Sequence, residues 1–464
     1  MYGRERHHEI LSKQMAAESV WKSFVEQDED VRILKGKKRT IHRWDTNHFR
    51  IVEEDDEMEA AIKWLPDPIA KPSNAKACSD TTKLVGRKFK PIDRQNENIV
   101  LPLENGYIRV IVEGSRTAGV RGGRTCRFEW VKPDREAEKT HAIPIEIDQE
   151  HGTEYHPRQT VAGSRFHEDY LATSLSEEEA RYIQTFFGYS LLDHNNEQIG
   201  LFQYGNGGEG KSTIVNLCSC IHRKTVPVSM KKLGDFGLAT ASQASLIFVD
   251  DAPATWDNAD VMKSVLSAGL MAIDVKHSDA IEGRVYGKMV VCGNEVPYVN
   301  DASNGWQRRW MLAKWTNQVT KDPSLEPHIV SHELRHVMDW MLLGLKRYFE
   351  HGLPTIEEGP VSTQELFAEL VSANNTAAAW AIHAGAEVDD GVRTEKKAIY
   401  EAYRLWGEEM EKSPKSMKDM PRFFIALKQH LKHFDESKLG TRGERKPCVG
   451  IRIPDIPNVA ARPF

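Results

Sequence analysis

The chain has 464 residues, 40% hydrophobic and 28% charged, with a formal net charge of −6. That composition describes an ordinary globular protein with core enough for two to four domains, and the net charge does not announce a nucleic-acid binder. It holds no apolar run of about 18 residues, so no membrane partner is expected, and its start, Met1-Tyr2-Gly3-Arg4-Glu5-Arg6, lacks the apolar stretch of a secretory signal. The cysteines (Cys78, Cys126, Cys218, Cys220, Cys292, Cys448) are scattered and read as free thiols, so a reducing, cytoplasmic setting is expected. Basic charge is local: Lys35 to Arg39, Lys83 to Lys90, Arg116 to Arg127 and Arg442 to Lys446. Such clusters can bind phosphate when they share a face, and otherwise are solvated loops.

In chain order, Glu9 to Val25 reads as a helix. Thr40 to Trp44 and His48 to Val52 read as a hairpin turning at Asp45-Thr46-Asn47, and Glu57 to Leu65 as a helix stopped by Pro66. Strand patterns dominate from Asn98 to Ile147, with a glycine-rich loop at Gly119 to Gly123. Ser176-Glu177-Glu178-Glu179 forms a capping box, so a helix is predicted over Ser176 to Tyr189. An α/β core follows, then a linker from Gly352 to Pro360. The last hundred residues read as mostly helical, ending in a short strand, Val449 to Ile453. Four parts result: 1–97, an α+β region; 98–195, strands followed by a helical collar; 196–351, a nucleotide-binding core; and 365–464, a mainly helical unit.

Within that core, Gly205-Asn206-Gly207-Gly208-Glu209-Gly210-Lys211-Ser212-Thr213 fits G-x-x-x-x-G-K-[ST]. A strand-like run, Ile199 to Tyr204, precedes it, and a helix-like run, Ser212 to Ile221, follows. Gly205, Gly207, Gly208 and Gly210 let the backbone turn its N–H groups inward onto phosphate oxygens, and the helix adds its positive end. Lys211 reaches the outer phosphates of ATP; Ser212, beside Thr213, ligates Mg²⁺. The strand Ser245 to Asp251 ends in two carboxylates. Asp250 is the candidate Mg²⁺ partner and Asp251 the candidate base for water. Lys288 to Asn294 is a further strand whose terminal Asn294 suits a γ-phosphate contact or a simple turn. Arg308 and Arg309 stand among tryptophans, fit either for a phosphate clamp or for cation–π packing.

Phosphate loop, short gap, acidic strand, Asn-ended strand and arginine pair occur here in an order that resembles the superfamily 3 helicases, nearest to their phage and poxvirus primase-helicase branch. The resemblance spans roughly residues 40 to 455, including Phe187-Gly188-Tyr189 in the collar, Val337 to Tyr348 after the arginines, and Tyr403 to Trp406 and Phe423-Phe424 in a winged-helix-like end. It implies an AAA+-like P-loop ATPase core. It implies an ATP- and Mg²⁺-dependent DNA helicase of a phage, plasmid or other mobile element, running 3′→5′ on single-stranded or forked DNA as a homo-oligomeric, hexameric ring. In that family Lys211, Asp250, Asp251 and Asn294 serve one subunit's site. Arg308 or Arg309 serves the neighbour's, with spacing to Trp315 favouring Arg308. A hairpin over Ile273 to Arg284 would grip DNA, with Lys276 and His277 at its tip. No primase metal triad stands in residues 1–195, so any priming falls to a separate chain. The family carries Asn where Glu209 stands, and a carboxylate beside bound phosphates is unfavourable, so Glu209 is expected to point away from the loop.

His332-Glu333-Leu334-Arg335-His336 matches H-E-x-x-H, the zinc-protease signature. It falls where the helicase family has its helix after the arginines, so helix-surface histidines are expected rather than a metal site. A rival function also remains: a DNA-binding NTPase that switches assembly at an origin without unwinding.

Overall fold

Five parallel strands carry the centre of the molecule: β1 (Gly200–Tyr204), β2 (Thr225–Pro227), β3 (Leu246–Ala252), β4 (Lys288–Gly293) and β5 (Trp310–Lys314), in the spatial order β2-β3-β4-β1-β5. This is a computed structural model. It describes residues 31–34, 40–51, 90–91, 99–114, 122–233, 237–274, 281–299, 304–389, 391–410, 417–431, 434–439 and 445–456.

A parallel sheet has to be covered on both faces, and these strands are apolar on both. Alternate residues divide cleanly between two cores. Leu201, Leu246, Phe248, Val290, Cys292 and Met311 face one, while Phe202, Ile247, Val249, Met289, Val291 and Leu312 face the other. Each such side chain, fully buried, contributes about 1.5–3 kcal/mol, which makes the sheet a rigid platform for the loops at its ends.

On the first face lie α2 (Lys211–Ser219) and, outside it, α1 (Glu177–Ser190) and α3 (Leu334–His351). The capping box predicted for α1 is present: Ser176 Oγ accepts from Glu179 N at 3.3 Å, and the Glu179 carboxylate accepts from Ser176 N at 3.0 Å. α1 and α3 cross at two glycines. A Cβ on Gly344 would lie 1.9 Å from Gln184 O, and one on Gly188 would lie 2.0 Å from Leu345 N. On the second face, Trp256, Trp306 and Trp310 cluster with Phe202, and the helix Val361–Asn374 adds Leu366 and Leu370.

Ahead of the core, strands Val100–Leu103, Gly106–Glu113, Thr125–Val131 and Thr153–Tyr155 form an antiparallel sheet. The hairpin Thr40–Asp45 and His48–Ile51 turns at Thr46 as the sequence predicts. The predicted helices over Glu9 to Val25 and Glu57 to Leu65 lie outside the described residues. A π-helical turn, Phe166–Leu171, continues into Ala172–Ser174 and was not legible in the sequence, because it follows neither the helical nor the strand period.

The end of the chain is mainly helical, as read, with short strands added to it. Helices Thr376–His383, Lys396–Glu409 and Met420–His430 share their own core with a three-stranded antiparallel sheet of Thr394–Glu395, Lys446–Val449 and Glu436–Leu439. Strands of two to four residues are too short to show a period. Cys126, Cys218, Cys220, Cys292 and Cys448 are free thiols.

Candidate phosphate-loop site

β1 delivers the glycine-rich loop to the carboxyl end of the sheet, and α2 leaves from it. Gly207, Gly208 and Gly210 adopt φ of +102°, +87° and +95°, the left-handed region that residues with a Cβ resist. A side chain at Gly207 would meet nothing within 4 Å, so the loop stands over open space. Gly210 is pressed instead. Its Cβ would lie 2.9 Å from the Tyr170 ring, and the Tyr170 hydroxyl donates to Gly210 O at 2.8 Å. The π-helical turn thus braces the last residue before Lys211.

Lys211 opens α2 and is buried. Its Nζ donates to Gly205 O at 3.0 Å and to Glu209 Oε2 at 2.8 Å. Glu209 is only 1% exposed, so it does not point away from the loop as the sequence led us to expect. It turns inward, accepting from Gly207 N at 3.0 Å and from Gln318 Nε2 at 3.2 Å. A buried ammonium needs a counter-charge, and the adjacent carboxylate supplies it to Lys211. Burial pushes the Glu209 carboxyl up. The Lys211 hydrogen bond and the backbone N–H groups of Glu209 and Gly207 outweigh that and hold it below the usual carboxylate range.

Ser212, half-buried beside Thr213, donates from Oγ to Asp250 Oδ1 at 2.8 Å. Asp250 and Asp251 sit at a register break between β3 and β4, which lies between Val249 and Ala252, and Asp251 takes φ +52°. A bulge of this kind turns strand-end side chains outward, and both carboxylates are exposed. Asn294, one residue past β4, brings its Nδ2 to 3.5 Å from Asp251 Oδ1. Five of the sequence-selected residues, Lys211, Ser212, Asp250, Asp251 and Asn294, therefore meet at one end of the sheet. The donor set suits a magnesium–triphosphate: an open glycine cradle, a lysine, and a hydroxyl paired with a carboxylate.

The arginines lie at the other end. They precede β5, which runs parallel to β1, and Arg309 O accepts from Gly200 N at the start of β1. The rise of β1 puts that edge about 13 Å from the loop. The two differ. Arg309 is half-buried, donates to Gly305 O and reaches Gln198 Oε1 at 3.4 Å. Arg308 is exposed and forms no ion pair with a described residue. Strands Met271–Ile273 and Ile281–Gly283 pair antiparallel as the predicted hairpin requires, while Lys276 and His277 lie outside the described residues.

Sequence reasoning missed three contributors. Gln203, fully buried in β1, donates from Nε2 towards Lys211 O and Cys292 Sγ, both at 3.4 Å. Tyr170 braces Gly210. Gln318 holds both Gly207 O, at 2.9 Å, and Glu209. Gln203 carried one signal, a polar residue inside an apolar strand. Nothing in the spacing marked the other two.

The H-E-x-x-H segment is broken at Glu333, which ends the helix Leu325–His332 and starts α3. His332 is exposed, with Nδ1 3.2 Å from His328 O, whereas His336 Nδ1 is 2.9 Å from Ser164 Oγ. Glu333 is buried and accepts from Ser164 Oγ, Arg165 N and Phe166 N at 2.7, 3.0 and 2.9 Å. It caps the π-helical turn, which has no side-chain cap of its own.

A family model described as a family of unknown function (DUF5906) matches residues 203–309, the stretch from β1 to the arginine pair. No curated protein matches the chain in sequence. Among solved structures, the apo C-terminal region (305–718) of phage NrS-1 is similar over 93% of this chain and 98% of that one, at 9% identity and a TM-score of 0.50. A second, A-form apo structure of the same region gives a TM-score of 0.48 over the same shares. A helicase of the polyomavirus JCV is similar over 42% of this chain and 60% of its own, at 11% identity and a TM-score of 0.23. The first of these likenesses extends the fold relation beyond the matched core to nearly the whole chain.

Proposed function

We propose that the chain is an ATP-driven DNA helicase of the superfamily 3 type, with an AAA+-like core, working as a ring of identical subunits in replication of a mobile element. The observation that carries this reading is the meeting of Lys211 and Ser212 with Asp250, Asp251 and Asn294 at one sheet end, while Arg308 stands exposed at the other.

Lys211 and the loop N–H groups bind the triphosphate. Ser212 and Asp250 hold Mg²⁺, which supplies charge neutralisation to the phosphates. Asp251 accepts a proton from water, and Asn294, touching Asp251, orients that water. An arginine about 13 Å from its own loop cannot serve it, since the side chain is shorter than that gap. Arg308 therefore serves the next subunit, and Arg309, tied to Gln198 and Gly305, positions it. Lys276 and His277 contact single-stranded DNA, and 3′→5′ movement follows the family. Residues 365–464, in which helices Thr376–His383, Lys396–Glu409 and Met420–His430 pack with a small antiparallel sheet, act as a winged-helix-like unit after the 196–351 core.

Strand displacement on forked DNA with ATP and Mg²⁺ tests the proposal. Unwinding of one fork polarity, lost in Lys211→Ala, supports it. DNA-dependent hydrolysis with no displacement at either polarity sinks the helicase reading and leaves an assembly-switching NTPase. Mixing Lys211→Ala with Arg308→Ala subunits should restore partial hydrolysis, because some interfaces then pair an intact loop with an intact arginine.

A further inference from the structure

The Glu209–Lys211 contact has no part in the chemistry above. Glu209 Oε2 lies 2.8 Å from Lys211 Nζ and 3.0 Å from Gly207 N. Those are the two kinds of donor, an ammonium and an inward loop N–H, that a phosphate oxygen takes in a loop of this type. The other carboxylate oxygen is held by Gln318, which also clasps Gly207 O. The segment bearing Gln318 is strapped to the loop twice more: Val319 N donates to Gly208 O at 3.3 Å and Trp315 N to Tyr204 O at 2.7 Å.

We propose that Glu209 is an internal stand-in for phosphate. It occupies the Lys211 ammonium in the nucleotide-free subunit, has to be expelled by incoming phosphates, and is kept inward by Gln318. The inference rests on the nucleotide-site reading and adds a gate to it.

The physical case is competition. Phosphates and the Glu209 carboxylate cannot share Lys211, because two anions within about 4 Å repel strongly in a buried site. Binding therefore selects the state in which Glu209 has swung out. The apparent affinity falls by the fraction of subunits already open. A closed state favoured about tenfold raises the apparent Kd about tenfold.

The test is equilibrium binding of a fluorescent ATP analogue with Mg²⁺ to the full chain. Wild type is compared with Glu209→Gln, Gln318→Ala, the double variant and Lys211→Ala, each checked for folding by thermal melting. Glu209→Gln keeps the shape but loses the charge and should bind about tenfold tighter. Gln318→Ala leaves the charge, loosens its holder, and should bind a few-fold tighter. The double variant should equal Glu209→Gln, because an absent gate needs no holder. Wild-type binding as tight as that of both single variants overturns the gate while leaving the nucleotide site standing. Weaker binding in Glu209→Gln also overturns it, since the carboxylate would then be assisting the ligand. No binding by any variant removes the nucleotide reading and the gate with it.

Discussion

Glu209 and Glu333 are both buried carboxylates, 1% and 7% exposed, and both lie lower in pKa than an ordinary glutamate. Their partners differ in kind. Glu209 is held by a lysine, a loop N–H and a glutamine, with Gly207 itself facing open space. Glu333 is held by Ser164 and the N–H groups of Arg165 and Phe166 at the start of a helical turn. Burial pushes the Glu333 carboxyl up, but those bonds and the neighbouring His336 bring it down to about 2. A ligand can take Lys211 from Glu209. Glu333 has no such competitor, because its donors, the Ser164 hydroxyl and two backbone N–H groups, belong to the packed start of a helical turn. Equal burial thus marks a switchable contact in one region and a permanent joint in the other.

The largest effect separates the two regions by activity. Lys211→Ala should lower ATP hydrolysis on the order of a thousandfold while the chain stays folded, because Glu209 can then leave for solvent. Steady-state phosphate release with a parallel melting curve checks both halves; a chain that unfolds instead would put Glu209 in the same class as Glu333.

Glu333→Gln should do the reverse and cost about 3 kcal/mol of stability, the equivalent of moving a carboxyl from 4.5 to about 2. Nucleotide binding should survive it. The pH dependence has a definite sign. A depressed carboxyl stabilises fully above its unfolded pKa of 4.5, and the contribution fades as pH falls towards about 2. Guanidinium midpoints between pH 5.5 and 2.5 should fall more steeply in wild type than in Glu333→Gln; parallel curves would assign the acid sensitivity elsewhere.

Gly344→Ala probes a second fixed contact, the crossing of α1 and α3. Its new Cβ would sit 1.9 Å from the Gln184 carbonyl oxygen, so the helices must part, at about 1–3 kcal/mol. An unchanged denaturation midpoint would mean that α1 and α3 slide freely. The smallest effect repeats the contrast with two arginines. Arg309→Ala should cost about 1 kcal/mol through its lost bonds to Gly305 and Gln198, whereas Arg308→Ala should stay within about 0.5 kcal/mol in the isolated subunit. Equal losses would remove the structural distinction between them.

Much of this was legible in the residues. The glycine pattern at Gly205 to Gly210, between an apolar run and a helical one, located the loop. The acids ending an apolar run located Asp250 and Asp251. Ser176 and Glu179 announced the start of α1, because a cap is a local device. Failures came where the cause is not local. Glu209 was misjudged because its direction is set by the buried Lys211 ammonium and by Gln318, not by the spacing of the loop. Gln318 lies more than a hundred residues from its partners in the loop, with no period to reveal it. The capping role of Glu333 left no local signal, because its partners, Ser164 to Phe166, are distant in sequence. The strand Thr225–Pro227 is simply too short to declare itself.

The glycine crossing of α1 and α3 also bears on where the chain can be cut. The two helices stand on either side of the sheet in sequence, yet pack together, and Phe187, Val337 and Met341 share one core with Ile214, Leu217 and Cys218 of α2. The segment 203–309, which defines a family by itself, omits both helices and β5. Excised at those limits, it would present that apolar face to water and clump. A fragment meant to stay in solution should begin ahead of Ser176 and run past His351. A protease probing the intact chain should spare the crossing and cut at exposed loop tips instead.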